Sequence, residues 1–141
     1  MTSPTHPVEV RGRKLGGASL FFLAGPCVLE NRDLAFQIAG SLKDLFADRD
    51  LPFVFKASFD KANRSSLDGG RGAGMEQGLE WLAAIRSELD IPVLTDVHLP
   101  EQCASVGEGA DILQIPAFLC RQTDLLLAAA ATGRAVNIKK G

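Results

Sequence analysis

Five short apolar runs alternate with helical patterns along this chain, and that alternation limits the folds open to it. The runs are Ser19 to Ala24, Phe53 to Lys56, Ile91 to Thr95, Asp111 to Ile115 and Ala135 to Ile138. Continuous apolar runs of this length, bounded by glycine, proline or polar residues, read as strands buried on both faces. After the first run, Leu34, Ile38, Leu42, Leu45 and Phe46 recur at spacings of three and four, with Asn31 placed to cap the helix they imply. Met75, Leu79, Leu82, Ile85 and Leu89 repeat the pattern, and Trp81 reads as a packing residue on the same helix. Pro100 and Glu101 suit the first turn of a short third helix that Gly107 and Gly109 end. Thr123 is placed to cap a fourth, Asp124 to Ala131, closed by Gly133.

Strict β-α alternation with apolar strands implies a parallel sheet covered by helices. Two architectures satisfy it: an open doubly wound α/β sheet, and a (β/α)8 TIM barrel of which only the first five strands are present. A complete barrel takes about 250 residues, against 141 here, and the chain stops directly after its fifth strand at Lys139-Lys140-Gly141. The expectation is therefore a polar lead-in over residues 1–18, with Val8-Glu9-Val10 as a short strand, and the N-terminal part of a barrel over 19–141.

Composition narrows the function. The chain is 46% hydrophobic and 23% charged, as in ordinary soluble domains. A formal net charge of −2 argues against general nucleic-acid binding. No apolar run approaches the roughly 20 residues that span a bilayer, and the N-terminus lacks a signal-peptide core. A cytoplasmic protein with no membrane partner is expected. Cys27, Cys103 and Cys120 are too few and too widely spaced for a disulfide framework or a zinc knuckle, so free thiols are expected.

In both architectures the ligand lies beyond the carboxyl ends of the strands. The unusual polar residues fall there: Cys27 after the first, Lys56 and Ser58 after the second, Asp96 and His98 after the third, Gln114 on the fourth, Lys139 and Lys140 after the fifth. Each alone has an ordinary explanation, such as an inert thiol, a helix cap or a solvated chain end. Five coincidences at equivalent positions are harder to dismiss. The second strand also opens into Lys56-Ala57-Ser58-Phe59-Asp60-Lys61-Ala62-Asn63-Arg64-Ser65-Ser66, where three cations are interleaved with hydroxyl and amide donors. That is chemistry for holding a phosphate or carboxylate.

Leu23-Ala24-Gly25-Pro26-Cys27-Val28-Leu29-Glu30, the Lys56 to Ser66 stretch, Thr95-Asp96-Val97-His98, Gln114-Ile115-Pro116-Ala117-Phe118-Leu119 and Asn137-Ile138-Lys139-Lys140-Gly141 together resemble the 3-deoxy-D-manno-octulosonate 8-phosphate synthases, also called 2-dehydro-3-deoxyphosphooctonate aldolases. The resemblance runs in one register from about Ser19 to the last residue. Related 3-deoxy-heptulosonate 7-phosphate synthases share the Gly-Pro-Cys start but carry a Lys-Pro-Arg-Thr type motif where this chain has Lys61-Ala62-Asn63-Arg64-Ser65. The resemblance implies a barrel enzyme that condenses phosphoenolpyruvate with D-arabinose 5-phosphate, releasing phosphate, in lipopolysaccharide precursor synthesis. It implies Lys56, Lys61, Gln114 and Lys139 around phosphoenolpyruvate, Ser58 near its carboxylate, and Asp96 near the reacting carbons. Asn63, Arg64 and Ser65 would take the sugar phosphate, with Arg64 and Ser65 serving a neighbouring subunit, and a homotetramer follows by resemblance. Cys27 matches the class that uses a divalent metal ion, where the metal-free class has Asn. No organic cofactor is implied, and the remaining metal ligands would lie beyond Gly141.

Three alternatives stay open on the sequence: a heptulosonate-type relative, a half-barrel that binds sugar phosphate without turnover, and a half-barrel that pairs with another half. The 141 residues alone are expected to be poorly soluble and inactive, because open strand edges stay uncovered.

Overall fold

The computed structural model describes residues 6–62 and 70–141. Its centre is a five-stranded parallel sheet. An antiparallel hairpin, β1 (Val8–Val10) and β2 (Arg13–Leu15), precedes it. The sheet strands are β3 (Phe22–Ala24), β4 (Phe53–Lys56), β5 (Val93–Asp96), β6 (Ile112–Ile115) and β7 (Ala135–Ile138). They lie side by side in sequence order, each parallel to the next. Helices α1 (Arg32–Ala47), α2 (Met75–Glu88), α3 (Cys103–Gly109) and α4 (Thr123–Ala131) make the crossovers, and a 3-10 turn over Pro100–Gln102 leads into α3.

Sequential strand order separates the two architectures. A doubly wound sheet reverses its strand order and carries helices on both faces. Here the order never reverses, and all four helices pack on one face. Phe53, Phe55, Val93, Leu113 and Ile115 point to that face and pack with Ala39, Leu82, Ile85, Val106 and Leu125 from the four helices. Val54, Leu94 and Ile112 point the other way, and Val10 and Leu15 of the hairpin cover them. One helical face and one inward face, in unbroken order, make this a five-stranded segment of a (β/α)8 barrel. The two end strands, β3 and β7, each have one side without a strand partner among the described residues.

Most expected elements are present, with local differences. Asn31 caps α1, its Oδ1 accepting the Leu34 N–H at 2.8 Å. The fully buried residues of α1 are Ala35 and Ala39, whereas Leu34 and Leu45, expected on the apolar face, are exposed. Alanines four residues apart let the helix approach the sheet closely, and Ile38, Leu42 and Phe46 fill in around them. Thr123 is the first residue of α4; Gln122 holds the cap position and makes no side-chain cap bond. Gly133, at φ 69°, closes that helix as expected. Asp111 ties two elements together, since its carboxylate accepts the Val93 N–H at 2.9 Å and lies 3.7 Å from Arg86 of α2.

Candidate active site

Strand alternation builds the site. Two residues beyond each inward apolar side chain, the same face carries a polar one: Lys56 after Val54, Asp96 after Leu94, Gln114 after Ile112 and Asn137 after Ala135. The register aligns Asp96 with Gln114 and Gln114 with Asn137. Lys56 pairs with Leu94, so two residues further on Ser58 stands beside Asp96. Ser58, Asp96, Gln114 and Asn137 thus form one row across four segments, just above the apolar layer under the hairpin.

The row is hydrogen-bonded from end to end. Asn137 Nδ2 donates to Gln114 Oε1 at 2.7 Å, and Gln114 Nε2 donates to Asp96 Oδ1. From the other side Ser58 Oγ donates to Asp96 Oδ2. Lys56 Nζ donates to Ser58 Oγ at 2.9 Å and to the Cys27 carbonyl at 3.3 Å. An ionised carboxylate only accepts, so every donor in the row points toward Asp96. Ser58 and Gln114 are almost fully buried, where unpaired polar groups are costly.

Two local constraints hold these segments together. Gly25 passes so close to Lys56 that a Cβ there would collide with the Lys56 carbonyl oxygen. Only glycine brings the end of β3 against β4 at this point. After Phe59 the chain leaves the sheet and returns with the Lys61 N–H donating to the Arg71 carbonyl at 2.6 Å. The Arg71 side chain then grips Asp60 with two N–H···O bonds of 2.9 and 2.6 Å. Its hydrogen bonding and attraction to Asp60 raise the Arg71 pKa above its ordinary value, against a small opposing effect of burial.

Above the row opens a cavity of about 480 Å³. Cys27, Lys56, Ser58, Lys61, Asp96, Gln114 and Lys139 all line it. Asn63, Arg64 and Ser65 lie outside the described residues. His98 also lines the cavity; its Nδ1 is buried without a partner among the described residues, and the Phe59 ring lies edge-on at 6.1 Å. Sequence reasoning left Asp60, Asn137 and the Ala117–Leu119 turn out of the site. The period of two from Ala135 would have placed Asn137 inward, but no local motif marks Asp60 as the partner of Arg71.

The cavity combines three ammonium groups with two carboxylates, Asp96 and the Asp60 that Arg71 holds, which suits an anionic substrate and the charge redistribution of a bond-forming step. The cysteines are free thiols, with Cys27 exposed. No group of three His, Cys, Asp or Glu side chains among the described residues is placed to hold a metal ion. Cys27 is a sound donor for a soft or borderline ion, but these residues do not by themselves make a metal centre.

Residues 7–141 match the DAHP synthetase I family. The chain belongs to that family. Among curated members named 2-dehydro-3-deoxyphosphooctonate aldolase, the protein of Nitratidesulfovibrio vulgaris is 60% identical over 136 residues, 96% of this chain and 50% of that protein. The protein of that name from Nitrobacter winogradskyi is 61% identical over 122 residues, 86% of this chain and 42% of its own length. That of Fusobacterium nucleatum is 51% identical over 142 residues, all of this chain and 51% of its own length. The chain thus spans about half the length of the curated DAHP synthetase I relatives it matches. No described helix is long and apolar enough to cross a membrane.

Proposed function

We propose that the protein condenses phosphoenolpyruvate with D-arabinose 5-phosphate to give 3-deoxy-D-manno-octulosonate 8-phosphate and inorganic phosphate, with this chain forming the first five strands of the barrel. The observation that carries the reading is the convergence of Lys56, Lys61 and Lys139 on one cavity with Asp96, in a chain of net charge −2. The name shared by the relatives, 2-dehydro-3-deoxyphosphooctonate aldolase, and the Lys61-Ala62-Asn63-Arg64-Ser65 motif favour the five-carbon sugar over a heptulosonate-type reaction.

In this reading the enol carbon of phosphoenolpyruvate forms the new bond to the aldehyde carbon of the sugar. Water adds to the adjacent carbon that has lost electron density, and phosphate departs from that carbon. Lys56, Lys61 and Lys139 hold the phosphate and carboxylate and stabilise negative charge on the aldehyde oxygen and the leaving group. Asp96 faces the reacting carbons, where a sugar hydroxyl or water trades places with one of its present donors. Ser58 reaches the carboxylate by exchanging its bond to Asp96 for one to substrate, and Gln114 orients the same end. Asn63, Arg64 and Ser65 take the sugar phosphate, the last two in a neighbouring subunit's site, within a homotetramer in the cytoplasm.

The same reading makes the protein divalent-metal-dependent, with Cys27 as one ligand and the rest supplied by the second half of the barrel. A bound ion there would polarise an oxygen or orient water. Metal analysis of the purified full-length protein tests this: Cys27→Ser should lower bound divalent metal, and an unchanged content would contradict it. The 141 residues alone are proposed to be inactive. The function itself is tested by incubating the full-length protein with both substrates and detecting the eight-carbon acid phosphate with stoichiometric phosphate release.

A further inference from the structure

Gln114 touches Asp96 on one side and Asn137 on the other. Its amide has two orientations of nearly equal shape, and only one serves the site. With Nε2 toward Asp96 it donates to the carboxylate; reversed, its oxygen would face the carboxylate oxygen and repel it. Nothing in Gln114 itself selects between them. Its two neighbours do: Asp96, which only accepts, favours the first, and Asn137 reinforces it, because its Nδ2 donates to Gln114 Oε1 at 2.7 Å and so holds that oxygen away from Asp96. The parallel register keeps Asn137 directly beside Gln114. Gln114 lines the substrate cavity and Asn137 does not, so the Asn137 side chain meets the cavity through its bond to Gln114.

We infer that Asn137 is a positioning residue: it steadies the Gln114 amide, and through it holds Asp96 in place as an acceptor facing the cavity. This rests on the proposed condensation reaction. It assigns a role to a strand residue that neither binds substrate nor packs in the core.

The test uses the full-length protein and two substitutions of similar size, Asn137→Asp and Asn137→Leu. A carboxylate at this position presents an acceptor to Gln114 Oε1, repels it, and competes with Asp96 for the Gln114 Nε2 donor. Leucine removes the donor without adding that competing acceptor. Asn137→Asp is therefore expected to lower kcat by about 10- to 100-fold with KM for both substrates within about threefold, and Asn137→Leu to lower kcat less. Simple packing predicts the opposite order, since Asp is the closer match in shape. Wild-type-like kcat in Asn137→Asp, or losses that track a fall in Tm, would overturn the inference. Should Asn137→Asp fail to fold, Asn137→Leu decides alone: reduced kcat at unchanged KM supports the role, and unchanged kcat overturns it. A wild-type protein without turnover overturns the reaction and this role together, whereas an active wild type with indifferent variants overturns only the role.

Discussion

Lys56 donates its ammonium to Ser58 Oγ at 2.9 Å, and this contact decides where the Ser58 proton goes. A hydroxyl that accepts from an ammonium on one side has its own proton free for the other, and here it goes to Asp96. Ser58 is thus the bridge between the cation and the carboxylate of the site. Ser58→Ala leaves Lys56 and Asp96, both half-buried at the cavity, each short of a partner. It is expected to cost roughly 1.5–3 kcal/mol of transition-state stabilisation, a loss of about 10- to 160-fold in kcat/KM. Steady-state kinetics on the full-length variant checks this, and activity within about threefold of wild type would show that the bridge is dispensable.

Gly78 lies inside α2, where alanine ordinarily stabilises a helix by about 0.5–1 kcal/mol over glycine. At this position a Cβ would stand 2.5 Å from Phe59 Cβ and 3.4 Å from Leu29 Cδ1. Phe59 sits immediately before Asp60, so the clash bears on the base of the site. The overpacking cost, about 1–3 kcal/mol, exceeds the helical gain. Gly78→Ala is expected to lower the urea midpoint, and a raised midpoint would mean that Phe59 moves freely.

Burial pushes the Cys103 thiol up, and the nearby charge of Glu101 adds to the shift. The folded protein therefore holds this proton more tightly than the unfolded chain. The stability that goes with the neutral thiol is fully present below the ordinary value of 9.0 and is lost as pH rises from there through the raised folded value. Thermal melts across that alkaline range should show Tm falling, and Cys103→Ala should flatten part of the fall. An identical slope in the two proteins would remove Cys103 as a contributor.

The legible parts of this molecule were those written in local pattern. Phe53 to Lys56 and Ala135 to Ile138 are strands over the residues expected, because apolar runs between turn residues leave little choice. Seven predicted site residues line one cavity, because the barrel places every strand's carboxyl end on the same side. What local pattern did not carry was partnership. Arg13–Leu15 is short and polar at two of three positions, and it is a strand because Leu15 and Val10 together cover the inward face of the sheet. Leu34 and Leu45 fit the helical period yet are exposed, because Ala35 and Ala39 make the close contact with the sheet. Arg71 lay in a glycine-rich loop with nothing to indicate Asp60, eleven residues earlier, as its partner.

A comparison of aldehyde substrates bears on the proposed reaction more directly than any single variant. The full-length protein is supplied with phosphoenolpyruvate and either D-arabinose 5-phosphate or the four-carbon D-erythrose 4-phosphate, and products are identified by mass while phosphate release is followed. The eight-carbon acid phosphate is expected from the five-carbon sugar, with kcat/KM at least about 100-fold above that for the four-carbon one. Preference for the four-carbon sugar, or phosphate release without a new carbon–carbon bond, would contradict the proposed condensation.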